Sequence, residues 1–194
     1  KTTKPEQLHS VTALAQDTRT GHTSTWYYGT GELIGNSAGG SGAPFRGNGV
    51  YKSTDGGDSW TSLTSSASNT PQTFDNEFDY VSNIVVNPLN GYVFVSVAYG
   101  LRRSMDGGET WDKLLVTKSA GSAYSDISIN SKGVLYAAFN NGGIWRSADD
   151  GDTWTNILPS NFNSSYNRTV IGHAPSDENT MYVIGDLGSD NHML

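Results

Sequence analysis

The run Thr73-Phe-Asp-Asn-Glu-Phe-Asp-Tyr80 places three carboxylates, Asp75, Glu77 and Asp79, among three rings, Phe74, Phe78 and Tyr80. Rings stack on the faces of sugars and carboxylates accept from hydroxyls, so this spacing could serve a saccharide. The same clustered oxygens could hold Ca²⁺, a hard cation that takes oxygen ligands. A third reading is structural: an acidic, solvated connection whose rings cover the end of a sheet. Arg46, in a glycine-rich stretch at 31–48, and Tyr166, in a polar stretch at 159–168, join these residues as binding candidates.

Hydrolysis of a glycoside needs two carboxylates, roughly 5–9 Å apart depending on stereochemistry. Glu32, at the start of the glycine-rich stretch, is the one weak catalytic candidate, and the spacing supplies no partner for it. The histidines at 9, 22, 173 and 192 have no metal-ligand spacing with one another or with a carboxylate cluster. With no cysteine in the chain, a thiolate zinc site, a disulfide scaffold and a cysteine nucleophile are all excluded. Stretch 35–42 is glycine-rich but carries no Gly-Lys-Ser/Thr, so it is not a phosphate loop.

The elements that position these groups follow from composition and repetition. Of the 194 residues, 16% are charged and 23 are glycine, which describes a turn-rich β protein. A net charge of −7 argues against nucleic-acid binding, which wants a basic stripe. No apolar run reaches the roughly 18–20 residues that span a bilayer, so membrane insertion is not expected.

One pattern recurs three times. Ser53, Asp55, Gly57 and Trp60 have counterparts in Ser104, Asp106, Gly108 and Trp111, and again in Ser147, Asp149, Gly151 and Trp154. Spacings of 51 and 43 residues lie in the propeller-blade range of roughly 40–50. Two strand-like runs precede each motif, at 11–17 and 26–29, at 81–87 and 92–99, and at 125–130 and 134–140. A third run leads into the motif and a fourth follows it, at 60–63, 111–116 and 154–158. Four antiparallel strands joined by tight turns make one propeller blade. The motif is then the hairpin turn between the third and fourth strand, with the Asp carboxylate accepting backbone N–H groups, the Gly at φ > 0, and the Trp packing between sheets.

Ser-x-Asp-x-Gly-x-x-Trp resembles the Asp-box (BNR) repeat of sialidases, sortilin-like receptors, xyloglucan-cleaving endo-glucanases and photosystem II assembly factors. The stretches at 27–32 and 46–57 are similar to secreted Bacteroidetes proteins of the sortilin-like group, many of them exported by the type IX system. The resemblance covers about residues 11–186. It implies an all-β propeller of four-stranded blades at a secreted or cell-surface location. In the xyloglucan-cleaving enzymes it implies an acid pair contributed by blades on opposite sides of a cleft. The Gly-Thr-Gly-Glu32 stretch departs from the Thr-Asp-x-Gly-Gly of those enzymes. A sialidase would need an arginine triad, and the arginines at 19, 46, 102, 103, 146 and 168 show none.

The expected layout is one partial propeller over 1–194, with blade one at about 10–63, blade two at 80–116, blade three at 124–158 and an incomplete blade four at 168–194. The fourth unit is expected to stop before its third strand. Closed propellers take roughly 4–8 blades, so the remaining blades of a larger parent are the expected structural partners, ahead of ring closure by oligomerisation. In a four-stranded meander the 1–2 and 3–4 turns share one face of the ring, and the 2–3 loops and inter-blade connections share the other. The repeated turns occupy the first face. The long segments at 31–48, 64–80 and 159–168 fall on the second, where functional loops are expected. The leading expectation is non-catalytic recognition, or scaffolding, of a protein or polysaccharide at the blade 1–2 junction, without a cofactor other than a possible Ca²⁺. The alternative is a glycoside hydrolase whose second carboxylate lies outside this chain.

Overall fold

A computed structural model describes residues 10–33, 44–70, 73–116, 125–140, 142–160, 162, 168–186 and 192–193. Strands β1 (Val11–Gln16), β2 (Trp26–Thr30), β3 (Val50–Ser53) and β4 (Thr61–Ser62) form the first sheet in sequence order. The second sheet holds β5 (Val81–Val86), β6 (Val93–Val97), β7 (Gly100–Ser104) and β8 (Asp112–Val116). The third holds β9 (Ser125–Ile129), β10 (Leu135–Phe139), β11 (Gly143–Ser147) and β12 (Thr155–Asn156). The fourth holds β13 (Arg168–Ala174), β14 (Asp177–Asp186) and β15 (His192–Met193). Every pairing is antiparallel between sequence neighbours, so each sheet is a meander.

Two expectations need correction. The fourth unit does carry the start of a third strand: His192 and Met193 pair with Asp186 and Gly185. The fourth strands begin one residue after each tryptophan, and β4 and β12 are only two residues long.

The sheets stack face to face. Tyr27, Val50 and Leu63 of the first meet Val81, Ile84, Val93 and Val95 of the second. Phe94 and Leu101 of the second meet Ile127, Leu135 and Phe139 of the third. Tyr136, Ala138 and Ile144 of the third meet Ile171 of the fourth. Strands β6 and β10 are therefore buried along their whole length, which is why they read as near-continuous apolar runs rather than alternating ones. The first strands of successive sheets are stitched together by side chains: the Thr12 hydroxyl donates to Val81 O, Asn83 Nδ2 donates to Ile127 O at 3.1 Å, and Asp126 Oδ2 accepts from Ile171 N at 2.9 Å.

The repeated turn is built from its own sequence. Ser104 Oγ donates to Asp106 Oδ1 at 2.7 Å and accepts from Gly108 N at 2.7 Å. Asp106 Oδ1 accepts from Glu109 N at 3.0 Å and Thr110 N at 2.9 Å, and Thr110 Oγ1 donates to Oδ2 at 2.5 Å. Gly108 has φ +101°, and a Cβ there would lie 2.4 Å from Leu63 Cδ1 of the preceding blade. Gly151 stands the same way against Leu114, at 2.7 Å. Glycine is thus required twice over, by backbone sign and by the close approach of one blade's turn to its neighbour's outer strand.

Trp111 packs on the cluster shared by the first two sheets and Trp154 on the cluster shared by the second and third, both half-buried. Trp111 Nε1 donates to Ser65 Oγ at 3.0 Å, whereas Trp60 and Trp154 donate to Gly57 O and Gly151 O within their own turns.

Two outcomes follow for stability. Asp106→Ala removes the acceptor of the whole hairpin and costs about 1–2 kcal/mol in chemical denaturation. Trp111→Ala costs about 2–3 kcal/mol, short of the ~3–5 of a fully enclosed ring. Hydroxyl and backbone N–H donors hold the Asp106, Asp55 and Asp149 carboxyls well below the ordinary carboxylate range, led by Thr110, Ser53 and Thr153 respectively. A depressed carboxyl contributes stability above its unfolded pKa of about 3.9 and loses it as pH falls toward the folded value. Tm should therefore drop as pH is lowered from about 4 toward 2, and Asp106→Asn should flatten that drop.

Candidate functional site

The neck of the 31–48 excursion is locked onto the connection that enters the second sheet. Glu32 and Phe45 exchange two backbone hydrogen bonds, at 2.7 and 2.8 Å. Gly47 N donates to Asp79 O at 2.8 Å, and Asn48 binds both the backbone N–H and the side chain of Asn69. Gly31, at φ +94°, comes so near Asp79 O that a Cβ would sit 1.9 Å from it. The described ends of the 31–48 stretch therefore lie beside Asn69 and Asp79 at the blade 1–2 junction, as their places in the meander require.

Within 74–80 the side chains divide by direction. A single 3-10 turn, Glu77–Asp79, is capped at both ends of its first turn: Asn76 Oδ1 accepts from Phe78 N, and Asp79 Oδ2 accepts from the Asp75 and Asn76 N–H groups, each at 3.1 Å. Asp79 is 1% exposed and also accepts from the Ser68 hydroxyl. Phe78 turns inward onto Trp111, with ring centroids 5.4 Å apart. Glu77 forms a two-pronged ion pair with Arg102, a guanidinium left 2% exposed on β7. Asp75 accepts from the Thr70 hydroxyl at 2.7 Å.

These directions revise two candidate assignments. Asp75, Glu77 and Asp79 turn to three different partners instead of converging, so they are not a Ca²⁺ cage; among the described residues no group of three His, Asp or Glu could hold a metal ion. Phe78 and Asp79 are buried on this face, because core packing and capping claim them. Tyr166 lies outside the described residues.

Of the rings in this run only Phe74 stays outward, because Tyr80, a binding candidate, is buried at 5% exposure and backs that ring from the inside. Phe74 is 37% exposed, and its ring lies 5.3 Å from Tyr80 and 5.7 Å from Tyr99, tilted to both. Burial pushes the Tyr80 hydroxyl pKa up, opposed by the nearby Arg46 cation. Tyr99 comes from the hairpin between β6 and β7, a 2–3 loop that the meander places on the same face. Sequence reasoning passed over Tyr99 because that loop is short; its signal was a lone aromatic at a hairpin tip beside the acidic segment. Glu32 is half-buried at the neck of the excursion on this face. The arrangement offers a tilted aromatic platform beside a cation. It suits stacking and hydrogen bonding.

Glu77→Gln tests the assignment of that carboxylate to Arg102. It leaves a buried guanidinium uncompensated and should cost about 3 kcal/mol, at the low end for a broken buried pair because Glu77 keeps 22% of its side-chain surface. Denaturant titration of the single variant and of Glu77→Gln/Arg102→Met checks it; the double variant should recover most of the loss.

No family model matches the chain. Xyloglucanase Xgh74A of Acetivibrio thermocellus is 28% identical over 149 residues, a match that takes in 63% of this chain and 18% of that protein. Among solved structures, a GH74 enzyme of Niastella koreensis aligns with a TM-score of 0.58 at 20% identity, across 92% of this chain and 34% of that one. An ancestral GH74 enzyme aligns with a TM-score of 0.64, also at 20% identity, across 93% of this chain and 24% of that one. The chain thus spans less than a fifth of the curated relative's length and about a quarter to a third of the two solved enzymes. At this identity the likeness shows architecture: the described residues form an arc of stacked β-propeller blades.

Proposed function

We propose that this arc is a recognition module of a secreted or cell-surface Asp-box propeller, and that it holds an extended partner, a polysaccharide before a protein, against the face carrying the long loops. The observation that carries the reading is the exposed Phe74 ring, backed by half-buried Tyr99 and buried Tyr80 near Arg46, set where neighbouring carboxylates are already committed to folding. Similarity to a xyloglucanase puts a polysaccharide first among partners. The sequence resemblance to sortilin-like secreted proteins of the type IX group supports the location. Further propeller blades are the structural partners in this reading: the arc leaves Val11 and Leu14 exposed on its first sheet and Val170, Tyr182 and Ile184 on its last, and apolar rows of this kind are covered at each internal junction.

The second reading is a glycoside hydrolase. Glu32 favours it, standing on the loop-rich face of a chain similar to a xyloglucanase, with the second carboxylate supplied by blades outside this chain.

Affinity electrophoresis against xyloglucan, mixed-linkage glucan and a charged polysaccharide tests the first reading. The expected result is retardation by a neutral polymer that Phe74→Ala and Tyr99→Ala each weaken roughly five- to tenfold, about 1 kcal/mol per ring. Retardation unchanged by both substitutions would remove the platform from the site. Release of new reducing ends from xyloglucan, abolished by Glu32→Gln, would instead establish the hydrolase; none is expected from this chain.

A further inference from the structure

A second place for a ligand lies on the flank of the arc, apart from the aromatic platform. Strand β4 covers only Thr61–Ser62, while β8 runs from Asp112 to Val116, so the outer part of the second sheet is not roofed by a strand of the first. The connection between the two sheets crosses there and leaves a cleft of about 460 Å³, open to solvent. That volume falls within the roughly 300–1,000 Å³ of small-molecule sites. Its sides are Asn76 and Glu77 from the connection, Arg102 from β7, and Glu109, Trp111 and Lys113 from the repeated turn and β8.

Three features of this cleft restrict what it can take. Trp111 is half-buried and fixed: its indole N–H is used by Ser65 Oγ, and Phe78 packs against the ring from the core side at a 55° tilt. A ligand can therefore use the ring surface but not its donor. Arg102 spends Nε and one N–H each of Nη1 and Nη2 on Glu77 and Leu101 O, which leaves two of its five donors. Glu109 and Lys113 are exposed, and their side chains have no partner among the described residues. Acceptors and donors thus both line a cleft that holds one ring surface. The charges are two carboxylates, Glu77 and Glu109, against two cations, Arg102 and Lys113, so the lining has no net charge to favour an ion of either sign.

We infer that the flank cleft between the first and second blades is a binding site for a neutral saccharide unit, seated on the Trp111 ring with its hydroxyls shared among Glu77, Glu109, Arg102 and Lys113. A sugar matches each restriction. Its C–H face needs only the ring surface, its hydroxyls both donate and accept, and it carries no charge. The site stands independently of the platform at Phe74, and either could exist without the other.

Indole N–H signals in a ¹H–¹⁵N correlation spectrum report on it directly. The chain has five tryptophans, and Trp111→Phe identifies the signal of Trp111. Cellobiose, maltose and lactose are titrated separately, with glucuronate and glucosamine as charged counterparts. The expected result is a saturable shift of the Trp111 signal with at least one neutral disaccharide, at a Kd on the order of millimolar. Glu109→Ala/Lys113→Ala, both at exposed positions, should weaken it at least tenfold while the rest of the spectrum stays folded. Phe74→Ala should leave it unchanged, which separates this site from the platform. The inference is overturned if no neutral disaccharide moves the Trp111 signal, if the double variant binds as well as the parent, or if either charged sugar binds more tightly than the neutral ones.

Discussion

The arc depends on its inner sheets having a neighbour on both faces. A strand such as Val93–Val97, buried along its full length, cannot be solvated on either side, and the same holds for Leu135–Phe139. Once that requirement is met by stacking sheets, the chain has few ways to run. The first strands must succeed one another along the inside, where Thr12, Asn83 and Asp126 tie them together. The fourth strands must lie outside, where the repeated turn of each blade presses a glycine against the outer leucine of the blade before it. The Ser-Asp-Gly turn is thus a local hairpin device and also the surface by which successive blades register.

That arrangement separates two kinds of loop physically. Turns on the motif side are short, saturated with hydrogen bonds and engaged with neighbouring blades: Asn87 and Asn90 both donate to Asp150, and Ser131 binds Glu178. Loops on the other side are released from inter-blade registry, and the longest of them converge at the first junction. There the short β4 leaves an area that the connection has to fill with its own residues. Glu77, Phe78, Asp79 and Tyr80 are drawn inward for this purpose, which leaves the Phe74 ring exposed beside half-buried Tyr99.

Two of the carboxylates at 75–79 are spent on the fold itself. An ion pair with a buried guanidinium holds Glu77 in place, and a capping role holds Asp79.

Much of the architecture was legible in the primary structure because its causes are local. Three copies of Ser-x-Asp-x-Gly-x-x-Trp carry their own hydrogen-bond partners and their own φ-permissive glycine, so the motif specifies its hairpin wherever it occurs. Flanking apolar runs then count out four strands per unit. The short third strand at His192–Met193 escaped because two residues give no periodicity to read. The site was half legible for a different reason. Composition marks 74–80 as aromatic and acidic, but which of those side chains face a ligand is decided by contacts more than twenty residues away in the chain. Arg102 takes Glu77, Trp111 takes Phe78, and Tyr99 arrives from another hairpin. Local spacing sets the blade; only the packing of one blade on the next decides which residues are left over for function, since burial and charge pairing are properties of the assembled surfaces.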